Sequence, residues 1–134
     1  MYLVDTNVVS ELMRPRPHAG VVQWSGRLEP SGIAFVVSAI TVDEIVFGLQ
    51  WRPSAAKMDW FARFMQRVTV LPVTESIARR AGEMRAQMAV LGQVREQADM
   101  LIAATAQIHA LTLVTRNVRD FGGCGIAVLN PFTP

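Results

Sequence analysis

The sequence predicts an α/β fold: a five-stranded, mostly parallel sheet flanked by helices on both faces. Short apolar runs alternate with helical patterns along the chain, which is typical of parallel strands joined by helices. The length of 134 residues is the usual size of one domain. No repeat, low-complexity tract or linker divides the chain, so we expect residues 1–134 to form a single domain.

The composition is that of a globular protein, with 51% apolar and 18% charged residues. Cys124 is the single cysteine and cannot form an internal disulfide, which fits a reducing compartment. Asp5 interrupts the apolar start, which argues against a signal peptide. The longest apolar stretch, Ile33–Val42, is about half the length of a membrane-spanning helix. We therefore expect a cytoplasmic protein.

Short apolar runs bounded by polar or turn-forming residues are predicted to be strands. They are Tyr2–Val4, Ile33–Val37, Val68–Leu71, Thr112–Thr115 and Ile126–Leu129. Helices are predicted between them from periodic apolar positions and from end signals such as Pro15 and Gly92. The helices are centred on or span Val8–Met13, Val21–Trp24, Ser38–Trp51, Ala55–Gln66, Glu75–Leu91 and Gln97–Leu111.

Four acidic residues each fall at the end of a predicted strand or in the first turn of a helix: Asp5, Glu44, Asp99 and Asp120. In a parallel sheet these places converge on one edge, where open α/β sheets bind ligands. Carboxylates gathered there repel one another unless a cation lies among them. Ligands that offer only oxygen favour Mg²⁺ or Mn²⁺ over zinc. The sequence therefore predicts a candidate metal site.

Three of these acids also have simpler explanations. Asp5 is a possible N-cap of the first helix, and Asp120 is a possible turn acid. Glu44 completes a capping-box pattern with Thr41. Glu44 also shares its helix side with Phe47 and Trp51, where it would be the only charge on a face fit for burial.

Asp99 is harder to explain as a capping acid. The helix dipole explains why an acid lies in the first turn of a helix. It does not explain why Asp99 lies on the apolar side of that helix, which is expected to pack against the rest of the protein. Asp99 begins the apolar face that continues through Ile102 and Ala106. Glu96 and Glu11 are weaker additional candidates for the cluster.

Several arginines flank the predicted site and are candidates for binding phosphates: Arg14, Arg16, Arg116 and Arg119. A solvated surface position is the alternative for each of them. No zinc-ligand spacing, phosphate-binding glycine loop or nucleophile elbow is present in the sequence.

Two other classes of protein gather acids at strand ends. A phospho-receiver domain needs a lysine near the pocket, and Lys57, the sole lysine, falls in a predicted helix. An aspartate-based phosphatase usually has a second Asp two residues after the first, where this chain has Asn7. Both alternatives stay open on the residues alone.

An aromatic-rich set of side chains crowds the helices between residues 41 and 66: Trp51, Trp60, Phe61, Phe64 and Met65. These side chains either pack against one another or leave an apolar surface for a partner.

The segments that carry these features resemble PIN-domain ribonucleases, specifically the FitB-like toxins of VapBC-type toxin–antitoxin modules. The matching segments are Leu3–Glu11, Ser38–Ile45, Ala98–Ala106, Leu113–Asn117 with Asp120-Phe121, and Val128–Phe132. Each is short, but together they follow the expected order over essentially the whole chain. Gln97 is one departure, because related sequences often carry Pro or a small residue there.

The resemblance implies a metal-dependent endoribonuclease with an acidic pocket of Asp5, Glu44, Asp99 and Asp120 that binds Mg²⁺ or Mn²⁺. It also implies that Thr6 and Asn117 support the pocket. The expected partners are RNA, a second copy of the chain, and a small antitoxin whose tail enters the acidic groove. Operator DNA is expected to bind mainly through the antitoxin.

Overall fold

A five-stranded sheet carries the architecture of the computed structural model, which describes residues 1–28 and 35–133. The strand order is β3-β2-β1-β4-β5, and every neighbouring pair is parallel. The strands are β1 (Tyr2–Val4), β2 (Phe35–Ser38), β3 (Thr69–Leu71), β4 (Thr112–Val114) and β5 (Val128–Leu129). The predicted fold class is confirmed. Ile33 and Ala34, assigned by prediction to the second strand, lie outside the described residues.

Helices connect the strands, close to the predicted positions. They are α1 (Thr6–Leu12), α2 (Ala19–Leu28), α3 (Ala39–Trp51), α4 (Ala55–Met65), α5 (Glu75–Val90) and α6 (Gln97–Ile108). A 3₁₀ helix, Val118–Phe121, follows β4 and was not predicted. Among the described residues, no helix is long and apolar enough to cross a membrane.

Left-handed backbone ends the two longer helices that follow β3. Gly92 has φ +78 after α5, as its predicted C-cap role requires, and the Gln93 N–H bonds the Met88 carbonyl at 2.8 Å. Ala110 has φ 53 after α6, and the Leu111 N–H bonds the Ala106 carbonyl at 2.8 Å. Helix α6 therefore stops before its predicted end at Leu111, because the chain turns there into β4.

The strands bury alternate residues in two cores, as the two-residue period of a strand requires. Leu3, Val36 and Leu113 pack against α5 and α6 on one face. Val4, Val37 and Val114 pack against α1 to α4 on the other face. The chain runs from β1 to β2 and β3 on one side, and places β4 and β5 on the other side of β1. The carboxyl ends of β1 and β4 therefore flank the switch point where open sheets bind ligands.

Candidate active site

Asp5 lies at this switch point, directly after β1. Its backbone N–H bonds the Val114 carbonyl of β4 at 2.9 Å, and its side chain is 4% exposed. One carboxylate oxygen, Oδ1, accepts the Thr6 N–H at 2.8 Å and caps α1. The other oxygen, Oδ2, accepts from the Thr115 hydroxyl at 2.8 Å and from the Asn7 amide at 3.0 Å. Asp5 thus serves as an N-cap and also lies at the predicted edge.

Thr115 is a site residue that the sequence reasoning did not single out. It is fully buried directly after β4 and donates its hydroxyl hydrogen to Asp5. Its oxygen accepts from the Asn7 amide at 3.2 Å and from the Asn117 backbone N–H at 3.0 Å. The side-chain oxygen Oδ1 of Asn7 in turn accepts the Arg116 backbone N–H at 3.0 Å. A polar residue that ends a buried strand was the available sequence signal.

Glu44 reaches the same edge from α3. The Thr6 hydroxyl donates to Glu44 Oε1 at 2.6 Å, and the Thr6 and Thr41 hydroxyls lie 3.1 Å apart. The capping-box explanation is wrong, because Ser38 caps α3 by accepting the Ile40 N–H at 3.0 Å. Thr6 therefore bonds Glu44 directly, and its predicted role in supporting the pocket stays a prediction.

The helix side that Glu44 shares with Phe47 and Trp51 is exposed in this chain, and not buried as expected. Phe47 is 64% exposed and Trp51 is 71% exposed, and their rings stack with centroids 6.0 Å apart. In α4, by contrast, Phe64 is buried and stacks on Trp60 at 5.0 Å. The aromatic side chains of these two helices therefore form two groups. Trp60 and Phe64 of α4 pack together, whereas Phe47 and Trp51 of α3 form an exposed pair.

Asp99 lies half-buried in the first turn of α6. Burial and the negative charge of nearby carboxylates, in that order, raise the pKa of Asp99 from 3.8 to about 6. The carboxylates concerned, from the largest effect to the smallest, are Asp5, Asp120, Glu44 and Glu96. Burial also raises the pKa of Asp5, and hydrogen bonds from Thr115 and Thr6 oppose that rise. The predicted acids are therefore electrostatic neighbours.

Asp120 lies exposed on the 3₁₀ helix after β4. Arg95 holds this turn from the α5–α6 loop. Its guanidinium donates to the Arg119 carbonyl at 2.8 Å and to the Gly122 carbonyl at 2.9 Å. Asn117 precedes the turn and contributes its backbone N–H to Thr115, but its side chain does not cap the 3₁₀ helix.

The donor set matches a hard divalent cation, because the four acids offer only carboxylate oxygens. Their mutual repulsion, visible in the raised pKa of Asp99, is what a bound cation would neutralise. Within residues 1–28 and 35–133, however, no three Asp, Glu, His or Cys side chains lie close enough together to coordinate a metal ion. The carboxylates share an edge in this structure without meeting at coordination distance.

The weaker candidates have different surroundings. Glu11 is 7% exposed, and its carboxylate accepts the His18 N–H at 2.9 Å and lies 3.4 Å from Arg14. Through these contacts Glu11 orders the α1–α2 connection. Lys57 lies in α4 as predicted, yet it lines a pocket of about 230 Å³ together with Glu44, closer to the edge than we expected.

A family model described as the PIN domain matches residues 2–122 of this chain. The VapC ribonuclease Y4jK of Sinorhizobium fredii is 32% identical, over 100% of this chain and 99% of that protein. Toxin FitB of Neisseria gonorrhoeae is 34% identical, over 98% of this chain and 99% of that protein.

Solved structures agree with the sequence comparisons. The structure of FitAB bound to an IR36 DNA fragment matches with a TM-score of 0.82 and 33% identity, covering 100% of this chain and 97% of that one. A toxin–antitoxin complex from Klebsiella pneumoniae matches with a TM-score of 0.75 and 27% identity, covering 98% of both chains.

Proposed function

The chain belongs to the PIN-domain family, and we propose that its acidic edge cleaves RNA phosphodiester bonds with Asp5, Glu44, Asp99 and Asp120 as the catalytic carboxylates. The observation that carries this assignment is that the fold brings Asp99 within the electrostatic influence of Asp5, Asp120 and Glu44, whose negative charges add to burial in raising the pKa of Asp99. A divalent cation bound among these carboxylates would relieve that repulsion.

The protein is a VapC-type ribonuclease, the toxin of a type II toxin–antitoxin system. PIN-domain ribonucleases are metal-dependent in general. The receiver and phosphatase alternatives have no support from the family match.

We propose Mg²⁺ or Mn²⁺ as the metal, held by the four carboxylates. When bound, such a cation activates a water molecule and neutralises charge on the phosphate. Asp5 is already oriented by the Thr115 hydroxyl and the Asn7 amide, and Glu44 is oriented by Thr6. These bonds hold the two carboxylates in place before any ligand arrives, which reduces the cost of organising the site.

Arginines beside the edge are proposed to hold RNA phosphates. Arg116 and Arg119 are exposed next to Asp120, and the Arg116 guanidinium also lies over the Phe132 ring. Arg14 is partly engaged by Glu11 at 3.4 Å, which makes its contribution the smallest of the three.

An antitoxin is the partner of this chain, and operator DNA binds through the complex of the two proteins. We also propose a homodimer. The exposed and stacked Phe47 and Trp51 support a protein contact on α3. Sedimentation equilibrium of the isolated chain tests the dimer, and a monomer at micromolar concentration would contradict it.

A cleavage assay on a single-stranded RNA tests the proposed function. We expect cleavage with Mn²⁺ or Mg²⁺, none with excess chelator, and none for Asp99→Asn, whose circular dichroism should match the parent. Cleavage by Asp99→Asn at the parental rate would show that the site assignment is wrong. A comparison of the two metals at equal concentration shows which one the site prefers.

A further inference from the structure

A groove runs between α2 and the C-terminal segment 129–133, and we call it the tail groove. It encloses about 750 Å³. His18, Gln23 and Arg27 line it from the side of α2, and Asn130 and Phe132 line it from the opposite side. None of its described lining residues is an Asp or Glu. The groove therefore combines aromatic, amide and cationic groups, which suits an anionic ligand with flat rings.

The tail groove borders a second cleft at the acidic edge, and the two share Asn130. Asn130 also lines a smaller cleft of about 370 Å³ formed with residues 116–120, which include Asp120. The Arg116 guanidinium lies 4.8 Å from the centroid of the Phe132 ring. The Arg116 backbone N–H bonds Asn7, whose amide bonds Asp5. One residue thus connects the aromatic wall of the groove with the network that orients Asp5.

The walls of the groove are fixed by short contacts. Gly20 has no side chain, and a Cβ there would lie 2.5 Å from the Pro131 carbonyl oxygen, so α2 and the C-terminal segment approach too closely for any other residue. The Phe132 N–H bonds Asn130 Oδ1 at 2.9 Å. The His18 ring lies 5.2 Å from the Phe132 ring, and its Nδ1 accepts the Gly20 N–H at 3.0 Å. The Phe132 ring is therefore held in position.

We propose that the tail groove binds unpaired nucleotides of the RNA next to the cleaved bond, with a base packed against the part of the Phe132 ring that Arg116 and His18 leave exposed, and a phosphate at Arg116. This proposal rests on the proposed function. Proteins bind single-stranded nucleic acid by combining cationic grooves with aromatic stacking platforms. A groove lined by Arg27, bordered by Arg116 and without described acidic groups is less suited to a cationic peptide, so RNA is the better match.

Binding of a fluorescein-labelled 12-nucleotide single-stranded RNA to the Asp99→Asn protein, measured by anisotropy, tests the proposal. We expect Phe132→Leu to weaken binding at least about fivefold, and Phe132→Tyr to restore it, since stacking needs a ring. Arg116→Gln should weaken binding and lower the salt slope by about 1, as expected for the loss of one phosphate contact. Arg85→Gln, an equal charge change on α5 at the opposite face, should leave affinity within about twofold.

An RNA of the same length with abasic nucleotides isolates the stacking contribution. The abasic RNA should bind Asp99→Asn more weakly than the intact RNA, and the further change Phe132→Leu should then cost little. Equal losses on both RNAs would mean that Phe132 acts without contacting a base, and would overturn the proposal. If the groove variants bind RNA normally but no longer bind a co-expressed antitoxin, the groove is a protein-binding surface. That result would also overturn the proposal.

Failure of the groove and failure of the proposed function give different results. Suppose that the parent cleaves RNA, but that adding a groove substitution to the Asp99→Asn protein leaves its RNA affinity unchanged. Only the groove proposal is then wrong. If the parent cleaves no RNA with either metal while the variants still lose RNA binding, the groove stands and the proposed function is wrong.

Discussion

The Thr115 hydroxyl donates to Asp5 Oδ2 at 2.8 Å, between two residues that stand 110 positions apart. This bond joins the carboxyl ends of β1 and β4, which are neighbouring parallel strands. Thr115 also accepts from Asn7 and from the Asn117 backbone, so it fills its hydrogen-bonding capacity inside the protein. Thr115 therefore both links the ends of β1 and β4 and orients Asp5, the most buried acid of the proposed site.

Replacing Thr115 with Val keeps the shape but removes the donor and the acceptor. We expect a loss of about 1–3 kcal/mol in the free energy of unfolding, because the partners stay buried without it. We also expect a loss of metal-dependent RNA cleavage that exceeds the fraction of protein unfolded. Urea unfolding and cleavage rates measure the two effects. Thr105→Val, also fully buried but bonded to the Leu101 carbonyl, should cost stability alone; equal cleavage losses in both would contradict a specific role for Thr115.

Metal-free protein should lose stability as the pH rises from about 4 to about 7. The folded pKa of Asp99, about 6, exceeds its ordinary value of 3.8, so the folded state binds the proton more tightly than the unfolded state does. This contribution is complete below pH 3.8 and is lost as the pH rises through about 6. Burial also raises the pKa of Asp5 and adds in the same direction.

Denaturant unfolding of chelated protein between pH 4.5 and 7.5 measures that slope. Asp99→Asn should flatten the slope and be more stable than the parent at pH 7.5, because it removes a repelled charge. If the free energy of unfolding changes with pH equally in both proteins, the pKa of Asp99 is not raised in the folded state.

A divalent cation should stabilise the folded protein at neutral pH by binding only the native site. At a concentration about 100 times the Kd, the gain is about 2.7 kcal/mol. Asp5→Asn should abolish the shift of the melting temperature by Mn²⁺. Asp59→Asn, at an exposed i,i+4 pair with Arg63, should retain the shift. If Asp5→Asn keeps the full shift, the cation binds elsewhere.

Arg95 should position Asp120 through the two carbonyls that it holds. We expect Arg95→Ala to lower Mn²⁺ affinity and the cleavage rate together, and Arg95→Lys to restore them only in part, because an ammonium cannot reproduce the planar fork. Titration of Mn²⁺ against the melting temperature gives the affinity. Arg79→Ala, at an exposed pair with Glu75, is the control that should leave both values unchanged. Full rescue by Lys would mean that charge alone matters.

Much of the fold was predictable from local patterns. The strands were found because short apolar runs end at polar residues, and Gly92 was placed correctly because a helix that ends in left-handed backbone favours glycine. The end of α6 was missed because Ala110 adopts the same conformation without being a glycine. The 3₁₀ helix was missed because four residues carry too little periodicity to recognise.

The sequence by itself determined which side chains end at the edge: a residue that follows a buried parallel strand, such as Asp5, must emerge there, and a first-turn acid such as Asp99 must lie near it. Tertiary structure alone decided the contacts. Whether Thr115 reaches Asp5 depends on β4 lying beside β1, and whether Glu44 meets Thr6 depends on how α3 packs on α1. Local patterns are set by a few neighbouring residues, whereas these bonds require strand order and helix packing, which arise only when the whole chain folds.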